Sequence, residues 1–359
     1  MSLEYFEACR FRNFSHLQIT PAAHLNVIYG DNGSGKTSLI EAIYSTARLR
    51  SFRSADVRLL IANSEENFLC RAKIRSANEQ PHHVGIQRSR SAVVVKLDGQ
   101  PLRKSSELAK LFPLQIINND VHLLIEGGPG QRRQYLDWGV FHVEPSYGDT
   151  IKTFRHLLKQ RNAALRERRL RGQLKHWDVQ LTSCVSRINV MRQHYLDLLQ
   201  PVLEELLSDS FNLPQPSMHY FQGWASDHSY EEVLEQSLEY DQRNGKTHFG
   251  PHRADLRLRN EGRAIKELVS RGQQKILATI MMLAQVELYK QHSGRNLTLL
   301  IDDLPAELDR HFVHYFLNKV IATGSQIFIT TTDPAALKIP ETVQSLKMFH
   351  VEHGTIAEV

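Results

Sequence analysis

The sequence predicts a fold of the α/β class, in which a sheet carrying a glycine-rich loop is joined by an antiparallel β layer and split by a helical insertion. Three observations predict it. The apolar run "LNVIY" (25–29) leads into "GDNGSGKTS" (30–38), and "LIEAIYSTARL" leads out, the pattern of a strand, a loop and a helix. Period-two alternation of apolar and polar residues flanks that unit. From about Asp137 to Ser210 the alternation gives way to long helical patterning, and after Tyr240 it returns.

The first stretch, "SLEYFEACRFRNFSHLQITPAAHLNVIYG", alternates around a Pro-Ala turn as two or three strands would. From Asn67 to Leu102, "FLCRAKI", "VGIQ" and "AVVVKLDGQPL" read as the antiparallel layer, with Asp98-Gly99 as a hairpin turn. The helical stretch is expected to break near Gly172 and again at Pro201. Then come the strand "ADLRLRN", a helix from about Arg271, the apolar strand "LTLLID", another helix and the strand "QIFITTT". The domains expected are 1–136, an N-terminal half with the loop and β layer; 137–240, the helical insertion; and 241–359, the C-terminal half.

Composition excludes several classes. At 41% hydrophobic over 359 residues there is ample material for a core. The longest apolar run is far short of a membrane span, and "MSLEYFEACRFRNF" carries acids and arginines where a signal peptide needs an apolar stretch, so a cytoplasmic protein with no membrane partner is expected. Cys9, Cys70 and Cys184 lack the spacing of a zinc site or a disulfide scaffold. The histidines, His82-His83 and His248 with His252 included, lack partners at metal-ligand spacing. A net charge of +5 is compatible with a nucleic-acid partner. The positive charge is densest in "TFRHLLKQRNAALRERRLRGQLKHW", with Arg161, Arg166, Arg168, Arg169 and Arg171, and in "GGPGQRRQ", with Arg132 and Arg133. A solvated helix face and a phosphate-tracking surface both fit the first group; phosphate contacts and structural ion pairs both fit the second.

Gly30-x4-Gly35-Lys36-Thr37 fits the phosphate-binding P-loop pattern in full and sits between strand and helix as the mechanism requires. Its glycines let backbone N–H groups converge on phosphate oxygens at a helix N-terminus, so Gly30, Asp31, Asn32, Gly33, Ser34, Gly35, Lys36, Thr37 and Ser38 form the candidate nucleotide loop. Lys36 would reach the outer phosphates and Thr37 ligate Mg²⁺. In "TLLIDDLPAELD", an apolar strand ends at Asp302, placing a metal-holding carboxylate at its carboxyl edge, and Asp303 can turn toward the nucleotide to polarise a water. In "LVSRGQQK", Ser270 and Gly272 begin a helix, as a second anion site or as an ordinary N-cap.

These residues together resemble the ABC-type ATPase heads of the SMC and Rad50 class, and within it the RecF family. The stretches that carry the resemblance are "GDNGSGKTSLIEAIY", "GGPGQRRQYLDW", "LLKQRNAALR", "HFGPHRADL", "SRGQQK" and "LIDDLPAELD", in family order along nearly the whole chain. The fold implied is a P-loop ABC-type ATPase head with an antiparallel β layer and a helical insertion domain. By resemblance, Lys36 and Thr37 take the Walker A roles, Gln115 the Q-loop glutamine that helps hold Mg²⁺ and catalyse, Asp302 the Walker B acid and Asp303 the catalytic base. Ser270, Gly272 and Gln273 match the signature that completes the other subunit's site, and Asp309 the D-loop acid. Arg12 and Asn13 resemble the N-terminal segment that reaches the nucleotide; a strand-end arginine is the plainer reading. Arg271 and Asp303 stand where transporter ATPases have glycine and glutamate, and Pro305 is unusual before the D-loop. One of Thr330 to Thr332 falls where many heads carry a switch histidine.

The function this resemblance implies is that of an ATP-dependent DNA-binding protein of recombinational repair and replication-fork maintenance. ATP with Mg²⁺ would drive head-to-head homodimerisation on duplex DNA or single-strand/duplex junctions, with weak, DNA-stimulated hydrolysis resetting it. RecO and RecR are the implied partners, helping RecA onto single-strand gaps. The shorter acid Asp303 implies slow turnover, on the order of unassisted P-loop switches. The alternative is an ATP-switched clamp or scaffold whose main role does not need hydrolysis. A long-armed SMC or Rad50 protein is not expected, because the insert between Gln115 and Ser270 is short and lacks sustained heptads. Neither is a transporter ATPase, nor a nuclease of the overcoming-lysogenization type.

Overall fold

The computed structural model describes residues 1–76, 78–169, 171–208, 213–303, 309–340, 343 and 345–359. The chain divides into two compact units, Met1–Val121 with Tyr289–Val359, and His122–Leu288.

In the first unit, the core sheet has six strands in the order Thr355–Glu358, Leu346–Glu352, Leu25–Tyr29, Gln326–Thr331, Thr298–Ile301 and Leu114–Ile117. All neighbours run parallel except the edge hairpin. The strands Gln326–Thr331 and Thr298–Ile301 are buried along their whole length, which is why the sequence shows apolar runs there rather than alternation. Parallel registry brings Tyr29, Thr331 and Ile301 to one edge, where the glycine loop and the paired acids begin.

The second sheet of this unit is antiparallel, in the order Phe14–Ile19, Ser2–Phe11, Asn67–Arg75, Pro81–Ser89, Val93–Leu97 and Gln100–Pro101. Its last turn is the Asp98-Gly99 hairpin, both residues at positive φ (50° and 80°) as a tight primed turn requires. Phe6, Phe11, Phe68 and Ile74 pack in one core with Ile28, Leu300 and Phe328 of the parallel sheet. Helix Lys36–Arg48 contributes Leu39, Ile40 and Ile43 to that core and is buried on nearly every side. Buried Gln326 fastens the layers: its Oε1 accepts from the Leu3 N–H at 2.7 Å and its Nε2 donates to Leu3 O at 2.9 Å.

The second unit contains helices Pro129–Val143, Tyr147–Arg166, Arg171–Ser208, Tyr230–Gln236 and Leu238–Asn244 and a three-stranded sheet, Arg263–Ala264, Asp255–Asn260 and Ser217–Phe221. Helix Arg271–Ser293 begins in it. The insertion is therefore longer at both ends than 137–240. Its sheet and the fastening of Arg132 to Asp255, at 2.8 and 3.1 Å, place residues from before and after that interval in one unit.

Of the two expected helix breaks, the one near Gly172 is found and the one at Pro201 is corrected. The chain leaves the helix at Glu167–Arg169, where Arg168 has φ 53°, and Gly172 lies in the first turn of the next helix, Arg171–Ser208. Pro201 sits inside the helix without ending it. An interior proline costs ~3 kcal/mol, and the buried stripe of Leu196, Leu199, Leu203 and Leu206 opposes it with apolar burial of ~1.5–3 kcal/mol per side chain.

The dense arginines divide. Arg161 is fully buried, donating to Asp178 at 2.6 Å, Asp241 at 2.7 Å and Thr247 Oγ1 at 2.8 Å, so it is a core ion pair and no phosphate contact. Arg132 is an ion-pair partner and Arg133 donates to Ala254 O at 2.7 Å. Arg166 and Arg168 are exposed, whereas exposed Arg169 pairs with Glu167 at 2.8 Å and stands 5.8 Å from the Trp177 ring. The side chain of Arg171 lies outside the described residues.

Candidate functional site

At the carboxyl edge of the parallel sheet, the loop from Gly30 to Gly35 opens onto a cleft of about 570 Å³, within the range of small-molecule sites. The fold forces the loop's glycines. Gly30 has φ 148° and a Cβ there would meet Val351 O at 2.2 Å; Gly35 has φ 122° and a Cβ would meet Asn13 Nδ2 at 2.6 Å. Asn13 Nδ2 donates to Ser34 O at 3.1 Å, pinning the loop. Asn32, Gly33, Gly35, Lys36, Thr37 and Ser38 line the cleft, Gly30 and Ser34 are buried beneath it, and Asp31 is exposed.

Lys36 folds back over the loop, its Nζ donating to Gly30 O at 2.7 Å and Asp31 O at 2.8 Å. Burial pushes its pKa down, while Asp303, Asp302 and Asp31 pull it up. An ammonium parked on two carbonyls beside a ring of backbone N–H groups is ready to transfer to an anion. The buried Ser34 Oγ, without a hydrogen-bond partner, is a further donor for one. The loop thus fits a polyphosphate.

Asp302 follows strand Thr298–Ile301 directly and is buried. Its Oδ1 accepts from Thr37 Oγ1 at 3.0 Å and from Thr330 Oγ1 at 2.9 Å. Burial raises its pKa, the Thr330 and Thr37 hydroxyls oppose that, and Asp303 adds to it. Paired hard oxygens of Thr37 and Asp302 are the donor set that suits Mg²⁺. Asp303 then turns, with φ 57°, and lines the cleft, so consecutive acids serve different positions of one site. Thr330 joins them, since its Oγ1 also accepts from the Asp303 N–H at 2.8 Å. Of the three threonines, Thr330 is the one that lines the cleft; Thr331 instead bonds Asp333 O at 3.1 Å.

Gln115 is not brought to this site. It lies buried in its strand opposite Leu299, three residues and so ~10 Å before the level of Asp302. The residue level with Asp302 follows Ile117, whose carbonyl accepts from the Asp302 N–H at 2.8 Å; that residue is Asn118. Gln115 is accordingly withdrawn as a metal ligand and catalytic residue.

Ser270 and Gln273 form a reciprocal capping box at the start of helix Arg271–Ser293: the Ser270 N–H donates to Gln273 Oε1 at 2.9 Å, and the Gln273 N–H to Ser270 Oγ at 3.4 Å. Ser270 and Gly272 are exposed. Asp309 caps helix Arg310–Ala322, accepting from the His311 and Phe312 N–H groups at 2.9 Å. Pro305, Glu307 and Leu308 lie outside the described residues.

Arg12 does reach the cleft. Its guanidinium is held in a two-bond fork by Glu41, both contacts 2.8 Å, and Glu41 is fully buried. Arg53, Arg58 and Asn63 also line the cleft and were not singled out from sequence. A signal for Glu41 was available: it is the sole charged residue between Lys36 and Arg48, flanked by Leu39, Ile40, Ala42 and Ile43.

This sheet order, loop and acid pair define a P-loop head of the ABC type. A family model described as RecF/RecN/SMC N terminal domain matches residues 2–357. The chain is 38% identical over 361 residues to a protein of Pseudomonas paraeruginosa named DNA replication and repair protein RecF, covering 100% of this chain and 98% of that one. A protein of the same name from Thioalkalivibrio sulfidiphilus is 38% identical over 360 residues, with 99% of each covered. Among solved structures, one described as the recombination mediator protein RecF-ATP in the RecFOR pathway superposes with a TM-score of 0.89 at 26% identity, covering 100% of this chain and 97% of that one. An Smc head bound to the C-winged helix domain of ScpA, at 13% identity and a TM-score of 0.59, shares the fold. The chain belongs to the RecF family of the SMC/Rad50-like class.

Proposed function

We propose that the chain is an ATP-dependent DNA-binding protein of recombinational repair and replication-fork maintenance, in which ATP drives two copies together on DNA and slow hydrolysis resets them. The observation that carries this reading is that Lys36, Thr37 and Asp303 line one cleft at the carboxyl edge of the sheet, with buried Asp302 hydrogen-bonded to Thr37. The relatives' names supply the repair context, and the ATP named with a 26% identical relative supplies the nucleotide.

In this reading the 30–38 loop binds the phosphates through its N–H groups, and Lys36 leaves the Gly30 and Asp31 carbonyls to reach the outer ones. Thr37 and Asp302 would hold Mg²⁺, which when bound neutralises charge on the transferring phosphoryl group. Asp303 orients the attacking water and takes its proton, and Thr330 fixes Asp303 through its N–H. A second copy contributes Ser270, Gly272 and Gln273, of which Ser270 and Gln273 must exchange their mutual cap for phosphate contacts. RecO and RecR are the partners proposed, and RecA loading at single-strand gaps the outcome.

The test is nucleotide binding and single-turnover hydrolysis by wild type and Lys36→Ala, with and without duplex DNA. Wild type should bind and slowly hydrolyse ATP, faster on DNA, and Lys36→Ala should do neither. Equal binding by both proteins would refute the site.

A further inference from the structure

We propose that Glu41, which does not itself line the cleft, is the positioning residue that arms it: one buried carboxylate holding Arg12 and Arg53 as a phosphate clamp. The proposal rests on the ATP reading above. Glu41 lies one turn beyond Thr37 on helix Lys36–Arg48, with its side chain wholly buried. Arg12 Nε and Nη2 each donate to it at 2.8 Å, the Ser51 hydroxyl donates to its Oε1, and Arg53 Nη1 stands 3.8 Å from its Oε2.

Both arginines line the cleft, and they come from opposite sides in sequence: Arg12 from the end of strand Ser2–Phe11, Arg53 from the segment after the helix. Arg12 is held there with φ 54°, a backbone conformation unfavourable for a residue with a Cβ. A carboxylate inside a buried helix is a poor choice for stability alone, because its desolvation is rarely recovered and a well-packed apolar side chain of similar size serves as well or better. What the carboxylate does supply is direction. It fixes Arg12 by a planar fork, leaving one edge of the guanidinium for an anion, and it anchors Arg53 loosely enough to swing. Three hydrogen-bond donors and the more distant Arg53 ion pair also offset the charge of the buried Glu41 carboxylate, so the arginines keep their positions without adding this acid to the cleft lining, where it would repel phosphate.

The test is a double-mutant cycle on ATP affinity at fixed Mg²⁺ and salt, with Glu41→Gln made in wild type and in the Arg12→Ala/Arg53→Ala background. Loss of aim on two charge-assisted contacts predicts about tenfold weaker ATP binding in the first background. In the second it predicts less than a twofold change, since nothing remains to be positioned. An equal loss in both backgrounds, or none in the first, overturns the proposal, because a purely structural carboxylate would act whether or not the arginines are present. Should Glu41→Gln not fold, Arg12→Lys decides. It keeps the charge but not the fork, so it should also weaken ATP about tenfold, and undiminished binding overturns the clamp. Lys36→Ala, which should abolish ATP binding in every background, separates this from the parent reading. If it binds ATP normally, the cleft itself is misassigned.

Discussion

Arg161→Ala offers the sharpest division between structural and DNA-contacting arginine. The substitution strips the counter-ion from Asp241, which is fully buried, and from Asp178, and it orphans the Thr247 hydroxyl. Removing one partner of a buried pair costs ~3–5 kcal/mol because the remaining charge is left unpaired in the interior. For a unit of this size each kcal/mol moves the melting midpoint by ~2–4 °C, so calorimetry should show the insertion unit melting ~6–20 °C earlier. Converting both acids to asparagine in the same protein should recover part of that loss. The DNA-binding salt slope at a temperature where the variant is folded should equal that of wild type. In contrast, a variant that melts within 2 °C of wild type, with a log-log slope lower by ~0.9, would make Arg161 a phosphate contact and refute the packing argument.

Lys36→Arg should retain much nucleotide binding yet lose hydrolysis, because a planar guanidinium cannot take the place of a compact ammonium between outer phosphates; unchanged turnover would contradict the loop's role. Asp302→Asn should abolish Mg²⁺-dependent turnover and raise the melting point of the nucleotide-free protein at neutral pH. Burial raises the folded pKa of Asp302 above its unfolded value, so its favourable contribution is present at low pH and lost as pH rises through the folded pKa. A lower melting point at neutral pH would contradict this. Burial depresses the pKa of His252 to about 4, so its stabilising contribution is present above its unfolded value of 6.5 and lost as pH falls toward 4. The loss amounts to ~3 kcal/mol, and His252→Gln should flatten the acid limb of the stability profile.

What the sequence made legible was local. Strand–loop–helix around Gly30, the Asp98-Gly99 hairpin and the acids after an apolar strand are each written within a few residues, and their geometry follows from steric rules that act at that range. What it hid depended on partners far along the chain. Charge density gave no hint that Arg161 is a core residue, although its spacing did: with Phe154, Leu157, Ala164 and Leu165 it falls on the buried stripe of helix Tyr147–Arg166. Gln115 was misplaced because the resemblance supplied a residue type and the register, which depends on a strand almost two hundred residues away, supplied the position. Pro201 was read as a break because its local cost is plain and the leucines opposing it act through tertiary packing. At the cleft and directly behind it, Lys36, Thr37, Asp302, Asp303 and Arg12 were legible, whereas Glu41, Arg53 and Thr330's particular role needed the fold.

The central claim is that ATP held by this cleft closes two copies of the chain and that Asp303 reopens them. Its most direct test is the solution mass of the protein in ATP and in ADP, followed over time on duplex DNA, for wild type, Asp303→Asn and Ser270→Arg. The account predicts a dimer in ATP that decays to monomer in wild type, persists with trapped ATP in Asp303→Asn, and never forms in Ser270→Arg although that variant still binds ATP. A wild-type mass that ignores the nucleotide, or an Asp303→Asn dimer that decays at the wild-type rate, would contradict it.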